Sequence, residues 1–533
     1  MGIAGLARRL EPYGARYAPK DLDGYYAIVD GPSLAYHAHQ LALAAVARQS
    51  RLPSYADINT EAIRWLKALE DINIKVSAIL FDGALPETKR DERVRRLERN
   101  NRQIRELRIL YPTQGCPIPA RLGSVSYSFL APALREALND SGYASVTSIV
   151  PGEADDWCTP YANDSPRSIV FSDDTDLLLF DYPAESLVVF FRNVELWPEP
   201  KFKGYSPAKI RQSLRLASLV PLAYSIVQEP SHTFMALLQE AQSIDTESEH
   251  YLDFSRRYSG QSIAPAYSSK NSELRTMLQH LDVRISEFAH QALDVTLAPT
   301  IYLPLLVEDA NQASAWNIGQ DIRLLAYSLL ALDRVMVQEY KRKAQATTVQ
   351  DLKPLSPKDA HAAAAVLQQN VETWLQWMDG RQVPQEFIWP LVATNLVLVD
   401  LQRPPRIPLL MRVLEGDFDN TWDFVHLTAR IQAALYSLRF LKQCIAVWTA
   451  TRRTSSKPLE EALRKLQQDL ASMPTIAELF IVPGQEKKSH NKHELLREVL
   501  QEIYASLNIE IPAEQISNRK LKKQKREAER KDK

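Results

Sequence analysis

Apolar and polar positions follow two rhythms along the 533 residues of this chain. Up to about residue 205, short runs rich in Ile, Val and Phe recur as "YYAIVDG", "VSAILFDG", "SVTSIV" and "SIVFSDDTD". Helix-like segments separate them. Runs this short, closed by turn residues, predict buried strands of a parallel sheet linked by crossover helices. Beyond about residue 210 the period lengthens. Ile431, Leu435, Leu438, Leu441, Ile445 and Trp448 recur at intervals of three and four and predict one buried helix face. Glycine follows the same division: eleven of the sixteen lie at or before Gly204, where strand-to-helix turns are expected. The stretches "RPPRIP" and "SIDTESEH" predict loops. The expectation is an α/β domain followed by a mostly α-helical region.

Composition narrows this. A hydrophobic fraction of 45% and a charged fraction of 24% suit a globular chain and exclude a disordered or fibrous one. With a formal net charge of −1, any affinity for nucleic acid must come from a local patch. Cys116, Cys158 and Cys444 are too scattered for a disulfide framework or a cysteine-based zinc site. No apolar run reaches the roughly 18 residues a membrane span needs, and no secretory signal opens the chain. A soluble intracellular protein is expected, nuclear in preference to cytoplasmic, with no membrane partner. The closing "ISNRKLKKQKREAERKDK" holds nine Lys or Arg against three acids. It reads as a solvated tail, serving nuclear import, nucleic-acid binding or solubility.

The candidate chemistry lies where the predicted strands end, the edge at which parallel sheets collect ligands. Asp30 ends "YYAIVD", Asp82 ends "AILFD", Glu153 and Asp155 follow "SIVPG", and Asp174 and Asp176 follow "SIVFSD". Singly, each acid has an ordinary explanation as a helix cap or turn residue. Together, six acids on one rim would repel one another unless cations neutralised them. All-oxygen ligands select hard ions, so the cluster predicts two Mg²⁺, or Mn²⁺ in their stead, acting on a phosphodiester.

Directly after Asp82, the stretch Lys89 to Arg108 holds nine basic residues and four acids. On a helix, Lys89, Arg93, Arg96 and Arg99 or Asn100 share one side. A salt-bridged, solvated helix is the plain explanation. Its position beside a candidate metal ligand favours phosphate contacts with salt-dependent affinity. His37 and His39 lack a zinc spacing and read as core or surface histidines. The chain has no P-loop, G-x-G-x-x-G or G-x-S-x-G motif.

In this order, "MGIAGL", "IVDGPSLAY", "LFDGALPETKR", "VPGEADDWC" and "FSDDTDLLLF" resemble the flap endonuclease and XPG-type structure-specific nucleases, over roughly residues 1 to 185. The resemblance implies a PIN-like parallel sheet with helices on both faces. It implies metal coordination by Asp30, Asp82, Glu153, Asp155, Asp174 and Asp176. Lys89 and Arg96 match the gateway cations that contact the scissile phosphate, with Arg93 and Arg99 on the same nucleic-acid-binding side. Gly2 matches the amino terminus near the DNA junction, and Tyr36 an aromatic that stacks on the terminal base. Asp156 and Asp173 are extra acids, expected outside the metal site. Lys89, Arg96, Asp174 and Glu153 are the implied catalytic set.

Departures begin after residue 205. "LVPLAYSIVQEPSHTF" keeps the first helix of the family's duplex-gripping element without its glycines, and Glu229 falls where a seventh metal-site Asp would be. The combination looks most like the asteroid-type branch. The expected division is 1–205 for the nuclease domain, with a gateway at about 85–130. A degenerate helix-turn-helix-like region (206–300), a helical domain (301–485), and a helix with basic tail (486–533) follow. The implied activity is Mg²⁺-dependent, structure-specific 5′ cleavage of flapped or branched DNA, or of RNA. A catalytically silent scaffold for nucleic-acid or protein binding is the alternative, and the helical C-terminal region is where protein partners are expected.

Overall fold

The computed structural model describes residues 2–49, 51–113, 119–165, 167–258, 272–294, 298–331, 336–451, 457–488 and 493–512. The basic tail lies outside the described residues. A seven-stranded sheet, in the order β1-β7-β6-β5-β2-β3-β4, forms the first half of the molecule. Its strands are β1 (Ala15–Tyr17), β2 (Tyr26–Asp30), β3 (Lys75–Phe81), β4 (Thr147–Ile149), β5 (Ser168–Phe171), β6 (Leu187–Glu195) and β7 (Lys201–Tyr205). The pairs β2–β3, β2–β5, β3–β4 and β5–β6 are parallel, while β7 runs antiparallel to β6 and β1. The four strands expected from the sequence are β2, β3, β4 and β5; β1, β6 and β7 extend the sheet beyond them.

Central strands are buried because helices cover both faces, which is why their sequences read as continuous apolar runs. On one face pack Gly31–Val46, Tyr55–Glu70 and Leu130–Asn139, through Leu34, Ala38, Ile58 and Trp65. On the other pack Ala154–Asn163 and Val220–Gln228, through Cys158, Leu222 and Ile226. The first core continues without a break into the C-terminal helices as far as Tyr504, while the second takes in residues up to Tyr258. The chain after residue 205 thus completes both faces of the sheet.

The C-terminal region is mostly helical, built around the 29-residue helix Trp422–Ala450. It also contains a three-stranded sheet that the sequence pattern did not predict: β8 (Thr300–Tyr302), β9 (Val337–Lys343) and β10 (Ala346–Leu352). In β9 the inward residues include Glu339, Lys341 and Arg342, so a strand interior is written in charged letters. Among the described residues no helix is long and apolar enough to cross a membrane.

Candidate active-site cleft

Parallel register fixes where the acids stand. Asp30 pairs with Leu80, Val29 with Phe171, and Phe81 with Ile149, so four strands end on one edge. Beyond that edge lies a cleft of about 460 Å³. Asp30, Asp82, Glu153, Asp155 and Asp174 all line it, together with Lys89, Arg93, Arg96, Arg99 and Tyr36. Tyr36, 51% exposed, presents an aromatic face at the mouth.

Four of the acids also accept backbone hydrogen bonds, while Glu153, at the N-cap of Ala154–Asn163, makes no cap bond. Asp30, 4% exposed, caps the helix Gly31–Val46 by accepting from the Ser33 N–H at 3.2 Å. The hydroxyls of Ser33 and Ser172 also donate to it. Asp82 accepts from the Ala154 N–H at 2.8 Å. Asp174 caps the turn Thr175–Leu179 by accepting from the Asp176 N–H at 3.0 Å. Asp176 is buried at the start of that turn, accepting from the Ile3 N–H at 2.8 Å and the Tyr258 hydroxyl at 3.1 Å, with the Arg257 guanidinium 3.6 Å away. Gly2 sits against the same turn. Any side chain there would collide with Asp174, Thr175 and Asp176, so only glycine lets the chain approach so closely.

These bonds leave much of the negative charge unrelieved. Burial pushes the Asp30 carboxyl up to about 6 against the help of Ser172 and Ser33, and the neighbouring Asp82 adds to it. Glu153 is raised to about 7, by burial and by Asp82, even though Lys89 pairs with it. Burial, Asp30 and Asp174 hold Asp155 well above the usual carboxylate range. Asp176 is raised by burial and by Asp174. Asp174 is the exception: burial would raise it, but the Asp176 N–H and the charge of Lys89 help hold it below its ordinary value. Lys89 in turn is kept charged, because Glu153 and Asp155 outweigh its burial.

Among the described residues no three His, Cys, Asp or Glu side chains are gathered in a geometry that would hold a metal ion. Several of the acids are turned toward protein donors: Glu153 to Lys89, Asp176 to Ile3, Tyr258 and Arg257, Asp30 to two serines. As a donor set they are all oxygen and mutually repulsive, which is the chemistry that a hard divalent cation relieves.

Glu229 does not join them. It is exposed, ends the helix Val220–Gln228, and faces His232 at 3.9 Å rather than the cleft. Its neighbour in sequence is the exposed Pro230, whose carbonyl is taken by Arg9, so the segment turns outward. Asp173 lines the cleft but is half exposed and pairs with Arg192 at 3.2 Å. Of the basic residues, Arg96 pairs along its own helix with Glu92 at 2.9 Å, and Arg93 reaches Glu287 at 3.3 Å. The half-buried His37 stacks on Phe191, and the buried His39 packs at a tilt against Tyr127.

Sequence reasoning missed Ser33, Ser172, Arg257 and Tyr258. Ser33 carried a usable signal, standing three residues after Asp30 at a cap spacing. Arg257 and Tyr258 carried none, since they come from the end of a short helix, Glu249–Arg256, far along the chain.

A comparison with curated proteins returns no match to this chain. Residues 126–353 match a family model described as "XPG domain containing", which spans β4 to β10 and includes Glu153, Asp155, Asp174 and Asp176. Among solved structures, human GEN1 in complex with Holliday junction DNA is 16% identical, with a TM-score of 0.31 over 48% of this chain and 59% of that one. The catalytic core of Rad2 in complex with DNA substrate is 14% identical, with a TM-score of 0.29 over 50% of this chain and 81% of that one. The match therefore spans less than two thirds of the GEN1 chain. These structural likenesses are too slight to add weight. That family match covers less than half of the chain and runs through the strand ends that supply Glu153, Asp155, Asp174 and Asp176, so this stretch is similar to the XPG-type domains.

Proposed function

We propose that the protein is a divalent-cation-dependent, structure-specific nuclease that hydrolyses phosphodiesters in flapped or branched DNA, or in RNA, with 5′ polarity. The observation that carries this reading is the partly uncompensated acidic rim, facing Lys89, Arg96 and Arg257 across one cleft. Asp30, Asp82, Glu153, Asp155, Asp174 and Asp176 would hold Mg²⁺ or Mn²⁺. Such ions supply a water activated for attack and neutralise the leaving oxygen.

The chain's own residues do the rest. Lys89, Arg96, Arg99 and Arg257 offer positive charge to the phosphate being cut, and Arg93 anchors their helix on Glu287. Tyr36 offers a stacking face to an adjacent base. Gly2 lets the start of the chain lie against the Asp174–Asp176 turn, where a bulkier residue would displace an acid. A nuclear site of action suits a DNA substrate.

A specific observation favours a second reading. Lys89 already pairs with Glu153 and Arg257 lies near Asp176, as counter-charges would in a retained but silent scaffold. Two measurements separate them. Purified full-length protein should cut a labelled 5′-flap duplex in Mg²⁺, and Asp174→Asn should lower the rate by about 10²-fold or more while melting at the wild-type temperature. Titration calorimetry should record Mg²⁺ or Mn²⁺ binding. An active Asp174→Asn protein sinks the nuclease assignment; no cation heat and no cleavage of any flap, bubble or junction leaves the scaffold.

A further inference from the structure

A groove of about 430 Å³ opens in the C-terminal region and shares no lining residue with the acidic cleft. Its walls are the helices Pro357–Gly380 and Gln385–Asp400, with the start of the helix Gln320–Leu330 as a third. From the first come Leu367, Asn370, Val371 and Trp374, and from the second Val392, Asn395, Leu396 and Val399. Both sets fall at i, i+3, i+4 and i+7, which is one face of a helix. Each face is thus apolar with an asparagine in the same place. In a closed bundle another helix covers such faces. Here Val399 is 67% exposed, and Val366, beside Leu367 in the chain, is 62% exposed.

Polar groups in the groove are short of partners. Asn395 is 7% exposed, and its amide nitrogen is shut off from solvent without a hydrogen bond among the described residues. An unpaired buried amide is a cost that the fold alone does not recover, and a turn of the amide would give it to an acceptor in the groove. Asp321 and Asp400 also line the groove, and no cation does. Neither acid forms an ion pair among the described residues. Asp400 closes its helix, where the helix dipole disfavours a carboxylate, and no basic residue stands in that last turn. Arg430 attracts it only from a distance.

A segment laid between these walls meets mostly aliphatic and aromatic carbon, which leaves an extended backbone without enough hydrogen-bond partners; a helix brings its own. The two acids call for cations on that helix. The two asparagines call for a polar side chain within its apolar seam, a device that fixes register between helices. This chain's own basic end, beyond Pro512, has the charge without the seam. Its large apolar residues are Ile516 and Leu521, a spacing that puts them on different faces of a helix. We propose that the groove docks an amphipathic helix of a partner protein, with aliphatic residues at i, i+4 and i+7, an amide or hydroxyl side chain among them, and Lys or Arg flanking them toward Asp321 and Asp400. The docking surface is separate from the cleft, so it is indifferent to whether the protein cuts nucleic acid.

The test is selection of a phage-displayed library of random peptides, about four helical turns long, on immobilised full-length protein. The selected peptide is then synthesised, labelled and titrated by fluorescence anisotropy. Selected peptides should share the i, i+4, i+7 aliphatic pattern with basic flanks. Val399→Lys, at an exposed position, should weaken binding by about tenfold or more and Asp400→Lys by about fivefold, both variants melting as wild type does. A proline placed in the middle of the peptide should abolish binding. Peptides that bind Val399→Lys as well as wild type, that are proline-rich and extended, or that carry acidic flanks overturn the proposal, as does failure to select any. Two further results give the groove another occupant and overturn it too: a peptide of residues 513–533 that displaces the selected one at equal concentration, or a wild-type dimer in sedimentation that Val399→Lys breaks.

Discussion

Glu339 and Asp155 are both carboxylates withdrawn from bulk water, and the protein surrounds them in opposite ways. Around Glu339, in β9, the match is complete. The Arg323 guanidinium donates to it at 2.9 and 3.3 Å, Tyr327 at 2.8 Å, and Lys341 lies 3.2 Å away. Arg323 spends its remaining donors on the Ile318 and Trp316 carbonyls and the Ser437 hydroxyl. Burial alone would raise Glu339, but Arg323 outweighs it and the carboxyl sits below its usual range. A second pair, Arg342 on Glu308 at 2.6 Å, repeats the pattern nearby. Around Asp155 the neighbours that count most are other acids, Asp30 and Asp174, and its carboxyl is pushed up. Full pairing marks charge that holds the fold; unrelieved charge marks a site kept for something the folded chain does not contain.

The sharpest way to break this contrast is to remove one acid from each region. Glu339→Ala leaves Arg323 buried and unpaired, and should cost about 3–5 kcal/mol of unfolding free energy. Asp155→Asn removes a repelling charge and should leave stability unchanged or higher in EDTA. Urea unfolding of both variants measures the difference. Equal losses would mean that the rim acids are as structural as the pair in β9.

The same contrast decides what could be read from sequence. The rim was legible because each acid ends an apolar strand, and β2 to β5 are strands buried on both faces. The small sheet of the C-terminal region was not, because β9 turns Glu339, Lys341 and Arg342 inward, where the alternation of a strand leads one to expect apolar side chains. Charge satisfied by a partner at a distance in sequence looks like surface. Arg257 and Tyr258 were hidden for a related reason: nothing local announces that residues over eighty positions from Asp174 will stand beside Asp176. Glu229 failed in the other direction. Its position in the family pattern suggested a ligand, but the helix end that carries it faces solvent.

Protonation sharpens the comparison. Glu153 is raised from 4.5 to about 7 in the folded protein. A carboxyl that holds its proton more tightly when folded contributes stability that is full below its unfolded value and lost as pH rises through its folded one. Four buried or half-buried histidines run the other way. His37, His39 and His290 are lowered to about 4 and His426 to about 3, chiefly by burial, so their contribution is lost as pH falls. The raw profile mixes the two, and the informative quantity is wild type minus Glu153→Gln in EDTA. Between about pH 4.5 and 7 that difference should fall with rising pH, by on the order of 3 kcal/mol. A flat difference would mean that Lys89 fully answers Glu153, and that the site behaves like the pair in β9.

The finest cut falls between two adjacent residues. Asp173 and Asp174 both line the cleft, but Asp173 is half exposed and meets Arg192 at 3.2 Å, while Asp174 is buried and caps the turn that carries Asp176. An exposed pair of this kind is worth about 0.5 kcal/mol or less. Asp173→Asn should therefore leave both the melting temperature and the rise in melting temperature on adding Mn²⁺ as they are in wild type, whereas Asp174→Asn should remove the Mn²⁺ effect. The two carboxylates differ by one position in sequence, so solvent and backbone geometry alone separate them. If Asp173→Asn also abolished the Mn²⁺ effect, exposure would not be what divides structural from functional charge on this rim. The site would then have to be drawn to include Arg192 as the partner that a bound cation displaces.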